Sequence, residues 1–506
     1  MAKYNLSLSS REDLSKKRQV LVRATFGKNF RMRFKSGVWV NPVNFDDVAN
    51  EIIIPKKGRL NFMERAEATQ AKSQLDTYLN RIDKIYSAMS IHMEELTSEF
   101  FEKAMQATAD MNASDISYYS ITKEIAKREQ EKEIMEKLNI DNPIRDIDFF
   151  GMMNLYLEKS DFSERRNKAY QVLIRQLCRY QLFVQMTDKK RKSFSLNVAT
   201  IDTETLEDFF DYFRNEKELS EENPKLFNKM LELYPVEATP KHKGTLAERG
   251  RNTFVKTMKM FKAFFVWCNE NGITSNNPFK GVKIGTESYG TPFFLTIAER
   301  NAIADADLQE LWDSLNDEDR EKVHDVAHMG IKRLAIQRDI FVFQCLIGCR
   351  VSDLIRLTSE NVVDDALQYI PTKTKSEKPN VVEVPLNERA KALVEKYNGV
   401  DSKGRLMPFI TPQNYNDAIK GLLYLCSIKR NVTTINPTTG EEEQHPIWEV
   451  ASSHMARRTF IGNLYKKVQD PNLIGSMSGH VEGSKAFVRY RDIDKDMKKN
   501  VISLID

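Results

Sequence analysis

The sequence predicts a multidomain protein that is mainly helical and carries a small β-sheet near its N-terminus. The chain has 506 residues, which is longer than the size at which a single hydrophobic core stops growing. Residues 19–40 are rich in β-branched and aromatic residues with strand-like alternation, whereas most later segments have the periodicity of amphipathic helices. Charged residues make up 29% and hydrophobic residues 41% of the chain, a balance typical of globular domains.

Composition also bears on the compartment. No apolar run reaches the roughly 20 residues of a membrane span, and the first residues contain no apolar stretch of signal-peptide type. The five cysteines are an odd and scattered set, which indicates reduced thiols rather than a disulfide framework. We therefore expect a cytoplasmic protein without a membrane partner.

Positive charge is concentrated at the N-terminus. Residues 1–60 contain 13 Lys and Arg against five Asp and Glu, which favours a polyanionic partner. Within "FRMRFK" the apolar residues alternate with three cations, Arg31, Arg33 and Lys35. Period two places the cations on one face of a strand. That face is a candidate DNA-binding surface, although an edge strand protected by charge has the same pattern.

The middle of the chain is predicted to be helical. Residues 63–110 are typical of one long connector helix, and a second helical unit begins near Ile147. The predicted helix "RGRNTFVKTMKMFKAFFVWCNENGI" carries a cationic stripe at i, i+3 and i+6, formed by Lys256, Lys259 and Lys262. This stripe is either a DNA-binding surface or an ordinary solvated face.

The last domain is preceded by a linker. Residues 275–294 are rich in Gly, Pro, Ser and Asn. Thr296 and Glu299 then form a capping-box signal for the first helix of the domain. Two hairpins are expected in that domain, at residues 367–386 and 430–450.

Three stretches of the last domain concentrate unusual residues. In "LIGCRVSDLIRL" Gly348 breaks an apolar helix, and Asp353 is placed to hydrogen-bond Arg350. In "SSHMARRTF" His454 and Arg457 share a helix face. Taken alone, the first pair is compatible with an ordinary salt bridge at a helix start, and the second could simply satisfy a buried carboxylate. The third stretch is "MSGHVEGSKAFVRYRDID". It contains His480 after a glycine, and ten residues later Tyr490 between two arginines.

Taken together, these three stretches, called boxes below, resemble the catalytic domain of the tyrosine recombinase (phage-type integrase) family. "GCRVSDLIRL" is similar to its first-arginine motif, "SHMARRTF" to its His-x-x-Arg motif and "SGH" to its third box. The whole chain resembles integrases of Bacteroidetes mobile elements. That resemblance implies four regions: an arm-type DNA-binding β-sheet domain (1–75), a helical connector (76–144), an all-α SAM-like core-site DNA-binding domain (145–285) and a mainly α, α+β catalytic domain (286–506).

The resemblance also implies a role for each matched residue. Arg350 and Arg457 would bind the non-bridging phosphate oxygens, with His480 as a further donor. Tyr490 would be the nucleophile, and His454 would accept or share its proton. A hairpin lysine would protonate the leaving oxygen; Lys373 is the first choice and Lys375 the alternative. Asp353 would orient the neighbouring arginine and histidine without taking part in the chemistry.

The implied function is site-specific DNA recombination through a 3′-phosphotyrosyl intermediate, with no metal, ATP or other cofactor. The implied partners are double-stranded DNA attachment sites, three further protomers in a homotetramer on DNA, and possible accessory DNA-bending or excision factors. Such a protein would be associated with the nucleoid and would integrate or excise a mobile element.

Three alternatives remain open at the level of sequence. A type IB topoisomerase-like relaxing enzyme uses similar residues. A DNA-binding regulator with a recombinase-like fold would have a decayed active site, whereas all six expected catalytic positions are filled here. "HDVAH" places His324 and His328 at i and i+4, as in the zinc signature H-E-x-x-H. The central glutamate is an aspartate and no third ligand is evident, so a solvated helix face is the favoured interpretation.

Overall fold

The computed structural model describes residues 2–10, 17–27, 30–57, 62–237, 245–372, 381–465, 467–468 and 470–480. Contacts between residues divide the chain into two compact units. The first unit consists of Met1–Tyr212, Asn223–Thr245 and Met260–Val282. The second consists of Phe213–Glu222, Leu246–Lys259 and Lys283–Asp506.

The first unit begins with an antiparallel sheet of three strands in the order β1-β2-β3: β1 (Lys3–Leu8), β2 (Arg18–Phe26) and β3 (Phe30–Val40). Phe26 pairs with Phe30, so β2 and β3 form a hairpin; Lys28 and Asn29 between them lie outside the described residues. Two short paired strands follow, β4 (Phe45–Asp46) and β5 (Glu51–Ile52).

Three helices share a hydrophobic core with this sheet: α1 (Phe62–Ala88), α2 (Ser98–Ala107) and α3 (Tyr118–Leu138). The alternation of β3 is confirmed, because Met32 and Phe34 are buried while the cations between them are exposed. The single connector helix expected over residues 63–110 is wrong. The chain leaves the helix after Ala88 and starts a new one at Ser98, where the Thr97 side chain accepts a hydrogen bond from the amide of Phe100.

Five further helices correspond to the predicted helical region: α4 (Phe149–Lys159), α5 (Glu164–Thr187), α6 (Thr203–Glu222), α7 (Pro224–Leu233) and α8 (Arg251–Glu270). Their core in the first unit is aromatic. The rings of Phe149 and Phe264 lie 5.7 Å apart, edge to face, and those of Phe209 and Phe261 are arranged in the same way. Burying each such ring contributes about 2 kcal/mol, so these contacts dominate the packing of this helical group.

The second unit contains the remaining helices, and the predicted linker over residues 275–294 has no helix or strand. Helices α9–α13 are α9 (Ile297–Asp305), α10 (Leu308–Ser314), α11 (Asp317–Ala327), α12 (Ile331–Ile347) and α13 (Val351–Leu354). Helices α14–α17 are α14 (Glu388–Tyr397), α15 (Pro412–Leu425), α16 (Ser453–Tyr465) and α17 (Pro471–Ser478). The capping box of Thr296 and Glu299 is confirmed at the start of α9.

Both predicted hairpins of this unit are confirmed. One belongs to a three-stranded sheet of β6 (Val362–Val363), β7 (Ala366–Tyr369) and β8 (Val382–Pro385), and the other is formed by β9 (Asn431–Ile435) and β10 (Glu442–Pro446). The second half of helix α12 is almost wholly buried, and the helix packs against α15 and α16. None of the helices in the described part of the chain is long and apolar enough to cross a membrane.

Candidate active site

The loop that carries Arg350 is fixed by a glycine. Helix α12 ends at Gly348, whose φ of 68° lies in the left-handed region that favours glycine. A Cβ at this position would stand 2.4 Å from a ring carbon of Phe460 on α16. The chain therefore turns against α16, and Arg350 lies two residues later at the N-cap of α13.

A buried polar network supports the same loop. The Gln344 side-chain amide donates to the Cys349 carbonyl at 3.1 Å, and Tyr415 donates its hydroxyl to the Gln344 amide oxygen at 3.0 Å. Gln344 and Tyr415 are both inaccessible to solvent. Hydrogen-bonded polar groups in an apolar core define one arrangement, because leaving any of them unpaired is costly. The sequence analysis did not identify this network, which joins residues 71 positions apart.

Arg457 joins all three sequence boxes. Its side chain is only 1% exposed. One terminal nitrogen of the guanidinium donates to the Gly348 carbonyl at 2.9 Å. The other lies 3.0 Å from Nδ1 and 3.2 Å from Nε2 of His480. The first-arginine loop, the His-x-x-Arg helix and the third box therefore meet at one buried cation.

His480 lies directly after α17. Gly479 ends that helix with a φ of 63°, and a Cβ there would stand 3.1 Å from both Pro371 and Val382. The end of α17 thus packs closely on the β7–β8 hairpin. The Ser478 hydroxyl oxygen, which is fully buried, lies 2.9 Å from Nδ1 of His480. The role of this serine was missed, since the sequence shows only that it precedes a Gly-His step.

His454 lies in the first turn of α16, on the same helix as Arg457. Desolvation by the surrounding protein, followed by the positive charges of Arg458, Arg457 and Arg350, lowers the pKa of His454 to about 4. The residue is nevertheless exposed to solvent, so it is accessible to a ligand. At neutral pH the ring is uncharged and has a nitrogen that accepts a proton.

Asp353 does not make the expected hydrogen bond to Arg350 in the described part of the chain. Its Oδ1 instead accepts from the backbone amide of Thr372 at 2.9 Å, and its buried Oδ2 has no partner there. The i, i+3 spacing predicted a hydrogen bond between Arg350 and Asp353. The backbone amide of Thr372, which follows β7, donates to the carboxylate of Asp353 instead. Asp353 therefore joins the first-arginine loop to the residue before Lys373.

Tyr369 is a further residue that the sequence analysis missed. It lies on β7 and is 7% exposed. Burial raises its pKa well above the ordinary value, and its hydroxyl is close enough to Cys349, Arg457, Asp353 and Arg350 to interact with each of them electrostatically. Tyr369 therefore lies beside the charged cluster.

The structure brings together Arg350, Asp353, His454, Arg457 and His480 in the second unit. Lys373, Lys375 and Tyr490 lie outside the described residues. The cluster holds two permanently charged guanidinium groups and an uncharged imidazole. Such an arrangement is suited to an anionic group with several oxygens, such as a phosphate.

In the first unit, the solvent face of the N-terminal sheet carries five exposed cations, namely Lys3, Arg23, Arg31, Arg33 and Lys35. Arg23 lies directly opposite Arg33 in the β2–β3 register. Like charges in directly opposed positions destabilise a sheet, and none of the three strands contains Asp or Glu. Arg23 was not among the predicted residues, since only the pairing register places it beside Arg33.

The cationic stripe of α8 is exposed, as predicted, but two of its three lysines form ion pairs with Glu287. Glu287 lies 3.8 Å from the amine of Lys256 and 3.4 Å from that of Lys259, all within the second unit. Lys262 is exposed on the same helix. Exposed ion pairs of this kind are worth at most about 1 kcal/mol, so a stronger anion can replace the glutamate.

Among the residues that the structure describes, His324 and His328 are not part of a group of side chains close enough to hold a metal. His328 lies beyond the end of α11 in the left-handed region, with φ 54°. Within the described ranges, the group of three ligand-type side chains close enough for a metal is His92, Glu94 and Glu95, which are half-buried or exposed.

Comparison with known proteins identifies the class of this domain. Residues 315–497 match the phage integrase family, and this segment contains each box of the cluster described above. This segment is therefore a domain of the phage integrase family, the family of tyrosine site-specific recombinases. No curated protein matches the chain.

Solved structures similar to this chain include DNA complexes of other recombinases. The Tn1549 transposon integrase with a circular intermediate DNA is 13% identical, with a TM-score of 0.41, over 71% of this chain and 100% of that chain. XerH bound to its difH substrate is 12% identical, with a TM-score of 0.37, over 75% and 89%. A lambda integrase dimer on a COC' core site is 11% identical, with a TM-score of 0.39, over 78% and 86%.

Proposed function

We propose that this chain cleaves and rejoins double-stranded DNA at specific attachment sites, without metal or ATP, to integrate or excise a mobile element. The observation that carries the proposal is the buried Arg457, held between the Gly348 carbonyl and His480. A guanidinium fixed in this way is already oriented for a phosphate and needs little reorganisation when negative charge develops.

The proposed chemistry gives each residue the role that its match to the recombinase family implies. The Tyr490 oxygen attacks a phosphate, its proton passes to His454, and the bond from phosphorus to the 5′-oxygen breaks. This step gives a 3′-phosphotyrosyl link and a 5′-hydroxyl, whose proton comes from Lys373 or Lys375. Arg350 and Arg457 stabilise the non-bridging oxygens, with His480 as a further donor. A 5′-hydroxyl of a partner duplex then reverses the step.

The protonation state of His454 supports this assignment. A tyrosine hydroxyl has an unperturbed pKa of about 10 and needs a proton acceptor near neutral pH. His454, with its pKa lowered to about 4, is uncharged over the whole neutral range. A bound phosphate offsets the charges of the neighbouring arginines, so the histidine becomes a better proton acceptor when the substrate is present.

We assign the recognition of specific DNA sites to the regions before the catalytic domain. In region 1–75, the cationic face of the N-terminal sheet would bind arm-type sites. In region 145–285, the stripe of Lys256, Lys259 and Lys262 would bind the core site. Residues 76–144 would connect these two regions, and residues 286–506 would carry out the chemistry. Strand exchange between two duplexes requires four active sites, so a homotetramer on DNA is part of the proposal, with accessory DNA-bending or excision factors as possible partners.

Two other functions make different predictions. A type IB topoisomerase-like enzyme would relax supercoiled plasmid without exchanging strands, and a DNA-binding regulator would form no covalent complex. The clustered arginines and histidines favour an active enzyme. Recombinant product from two attachment sites would separate recombination from both alternatives.

The first test concerns Arg457. Replacing it by lysine is expected to lower the rate of covalent complex formation on a nicked DNA substrate by at least about a hundredfold, because a single ammonium nitrogen lacks the rigid planar fork of donors with which the guanidinium contacts separate groups and a phosphate. Covalent complex is measured on denaturing gels. Arg338 is a matched control, since it is also largely buried and donates to a backbone carbonyl, that of Ala306. R457K activity equal to that of R338K would contradict the assignment.

A second test concerns the sheet. Arg33→Gln is expected to weaken DNA binding to a similar extent for different sequences and to reduce the slope of log affinity against log salt by about 0.9, the effect of losing one phosphate contact. Lys84→Gln is the control, because Lys84 is exposed on α1 of the same unit. Fluorescence anisotropy at several salt concentrations measures both variants. Equal salt slopes for R33Q and K84Q would show that the sheet face does not contact DNA.

A further inference from the structure

We infer that Glu287 is an intramolecular competitor of DNA: its carboxylate occupies the cationic stripe of α8 in the free protein, and a DNA phosphate has to displace it. The inference rests on the proposed function, which assigns this stripe to the core site. It adds a residue that sets how tightly the stripe binds DNA of any sequence. All the residues whose contacts carry it belong to the second unit.

Part of the linker lies along the face of α8 that carries the stripe. One carboxylate oxygen of Glu287 lies 3.4 Å from the amine of Lys259, and the other lies 3.8 Å from that of Lys256. The Asn252 side chain accepts from the Ser288 amide at 2.8 Å and donates to the Ser288 carbonyl at 2.5 Å. Positions 252, 256 and 259 are i, i+4 and i+7 and share one helix face. The carboxylate therefore contacts two lysines through two oxygens, as a phosphate would.

Glu287 is ionised, and the lysines beside it remain accessible. The Tyr289 hydroxyl donates to Glu287, and this bond, followed by the interactions with Lys259 and Lys256, outweighs burial and lowers the pKa of the carboxyl. The amine of Lys256 also lies 5.8 Å from the centre of the Tyr289 ring, within the range of a cation–π contact. The lysine side chains are 57% and 52% exposed, against 24% for Glu287. A DNA backbone can therefore reach both amines.

The linker keeps Glu287 near the stripe, because it is fixed again eight residues later. The Leu295 amide donates to the Thr459 hydroxyl at 3.1 Å, and the Asn463 side chain donates to the Leu295 carbonyl at 2.9 Å. Thr459 and Asn463 both lie on α16, and Leu295 is inaccessible to solvent. A displaced carboxylate thus stays tethered at a high effective concentration, and DNA competes with an anion that does not diffuse away.

Glu287→Gln is expected to bind DNA about fivefold to tenfold more tightly than the wild type at low salt. The reason is that each exposed ion pair shifts an equilibrium by at most about fivefold, and two are lost. The gain should shrink as salt is raised, because exposed charges are screened. Fluorescence anisotropy of the full-length protein with a labelled duplex of random sequence measures the affinity, since phosphate contacts need no particular sequence.

The matched control is Glu248→Gln. Glu248 forms a comparable exposed ion pair with Lys217, at 3.4 Å in the same unit, and does not contact the stripe lysines among the described ion pairs. Its replacement changes the net charge by the same amount, so any gain that it shows is the effect of charge alone. We expect E287Q to gain at least about threefold more affinity than E248Q.

The same two substitutions in a Lys256→Gln, Lys259→Gln background show whether the gain depends on the stripe. Without the two lysines, E287Q is expected to gain no more affinity than E248Q. Equal gains in the wild-type background, or an E287Q gain that persists in the lysine-free background, would overturn the inference while leaving the proposed function intact. If the two lysine substitutions did not weaken DNA binding at all, the assignment of the stripe to the core site would fail, and the inference would fail with it.

Discussion

Replacing Tyr490 by phenylalanine is expected to abolish the covalent protein–DNA complex while leaving DNA affinity unchanged. The substitution removes one oxygen, the atom that would attack phosphorus, and leaves the aromatic ring. The arginine and histidine cluster would still bind the phosphate, because its described members are held by contacts with one another and with Gly348. A nicked substrate whose short 5′ fragment diffuses away traps the complex for detection on a denaturing gel.

A matched control for this loss is Tyr465→Phe. Tyr465 is half-buried near the end of α16, so its replacement also removes one hydroxyl from the same unit. It should cleave like the wild type. A covalent band that persists in Y490F would refute the assignment of the nucleophile, and loss of DNA binding in Y490F would mean that the variant does not test the chemistry.

Gly348→Ala is expected to destabilise the second unit by about 2–4 kcal/mol. The left-handed conformation, with φ 68°, costs an alanine at least about 1 kcal/mol. Its Cβ would also stand 2.4 Å from the Phe460 ring, and overpacking a core adds roughly 1–3 kcal/mol. Urea unfolding of the full-length variants measures the change. Since Arg457 donates to the carbonyl of this residue, the rate of cleavage should fall as well.

Gly404→Ala is a control that has the backbone strain expected of Gly348→Ala without the clash against Phe460. Gly404 has a similar φ of 71°, but nothing lies within 4 Å of the position of an added Cβ. We expect this control to lose only about 1 kcal/mol and to keep its activity. If G348A and G404A were equally stable, Phe460 would not be the constraint that fixes the first-arginine loop.

Local patterns predicted the features that depend on near neighbours in sequence. The alternation in β3, the capping box at Thr296 and the shared helix of His454 and Arg457 each require only the geometry of one element. The break between α1 and α2 was missed for a physical reason. Met89 and Leu96, on either side of it, are both buried, so the apolar pattern continues across a segment where the helix does not.

The features that sequence reasoning could not predict depend on distant residues. Asp353 was assigned to Arg350 by spacing, whereas its carboxylate binds the amide of Thr372, 19 residues away. Arg23 joins the cationic face only because the hairpin register places it opposite Arg33. The support of the active-site loop by Gln344 and Tyr415 likewise requires α12 and α15 to pack together. The residues of the boxes can be recognised in the sequence by their type and order. Supporting residues such as Gln344 and Tyr415 follow no such pattern.

The most direct test of the proposed mechanism is to identify the amino acid that is joined to DNA. The trapped complex is digested with nuclease and with a protease that cuts after lysine, which releases residues 486–495, "AFVRYRDIDK". Mass spectrometry is expected to find this peptide carrying a 3′-linked nucleotide phosphate on Tyr490, the only hydroxyl-bearing side chain within it. A nucleotide attached to any other peptide, or the absence of an adduct from active protein, would contradict the mechanism.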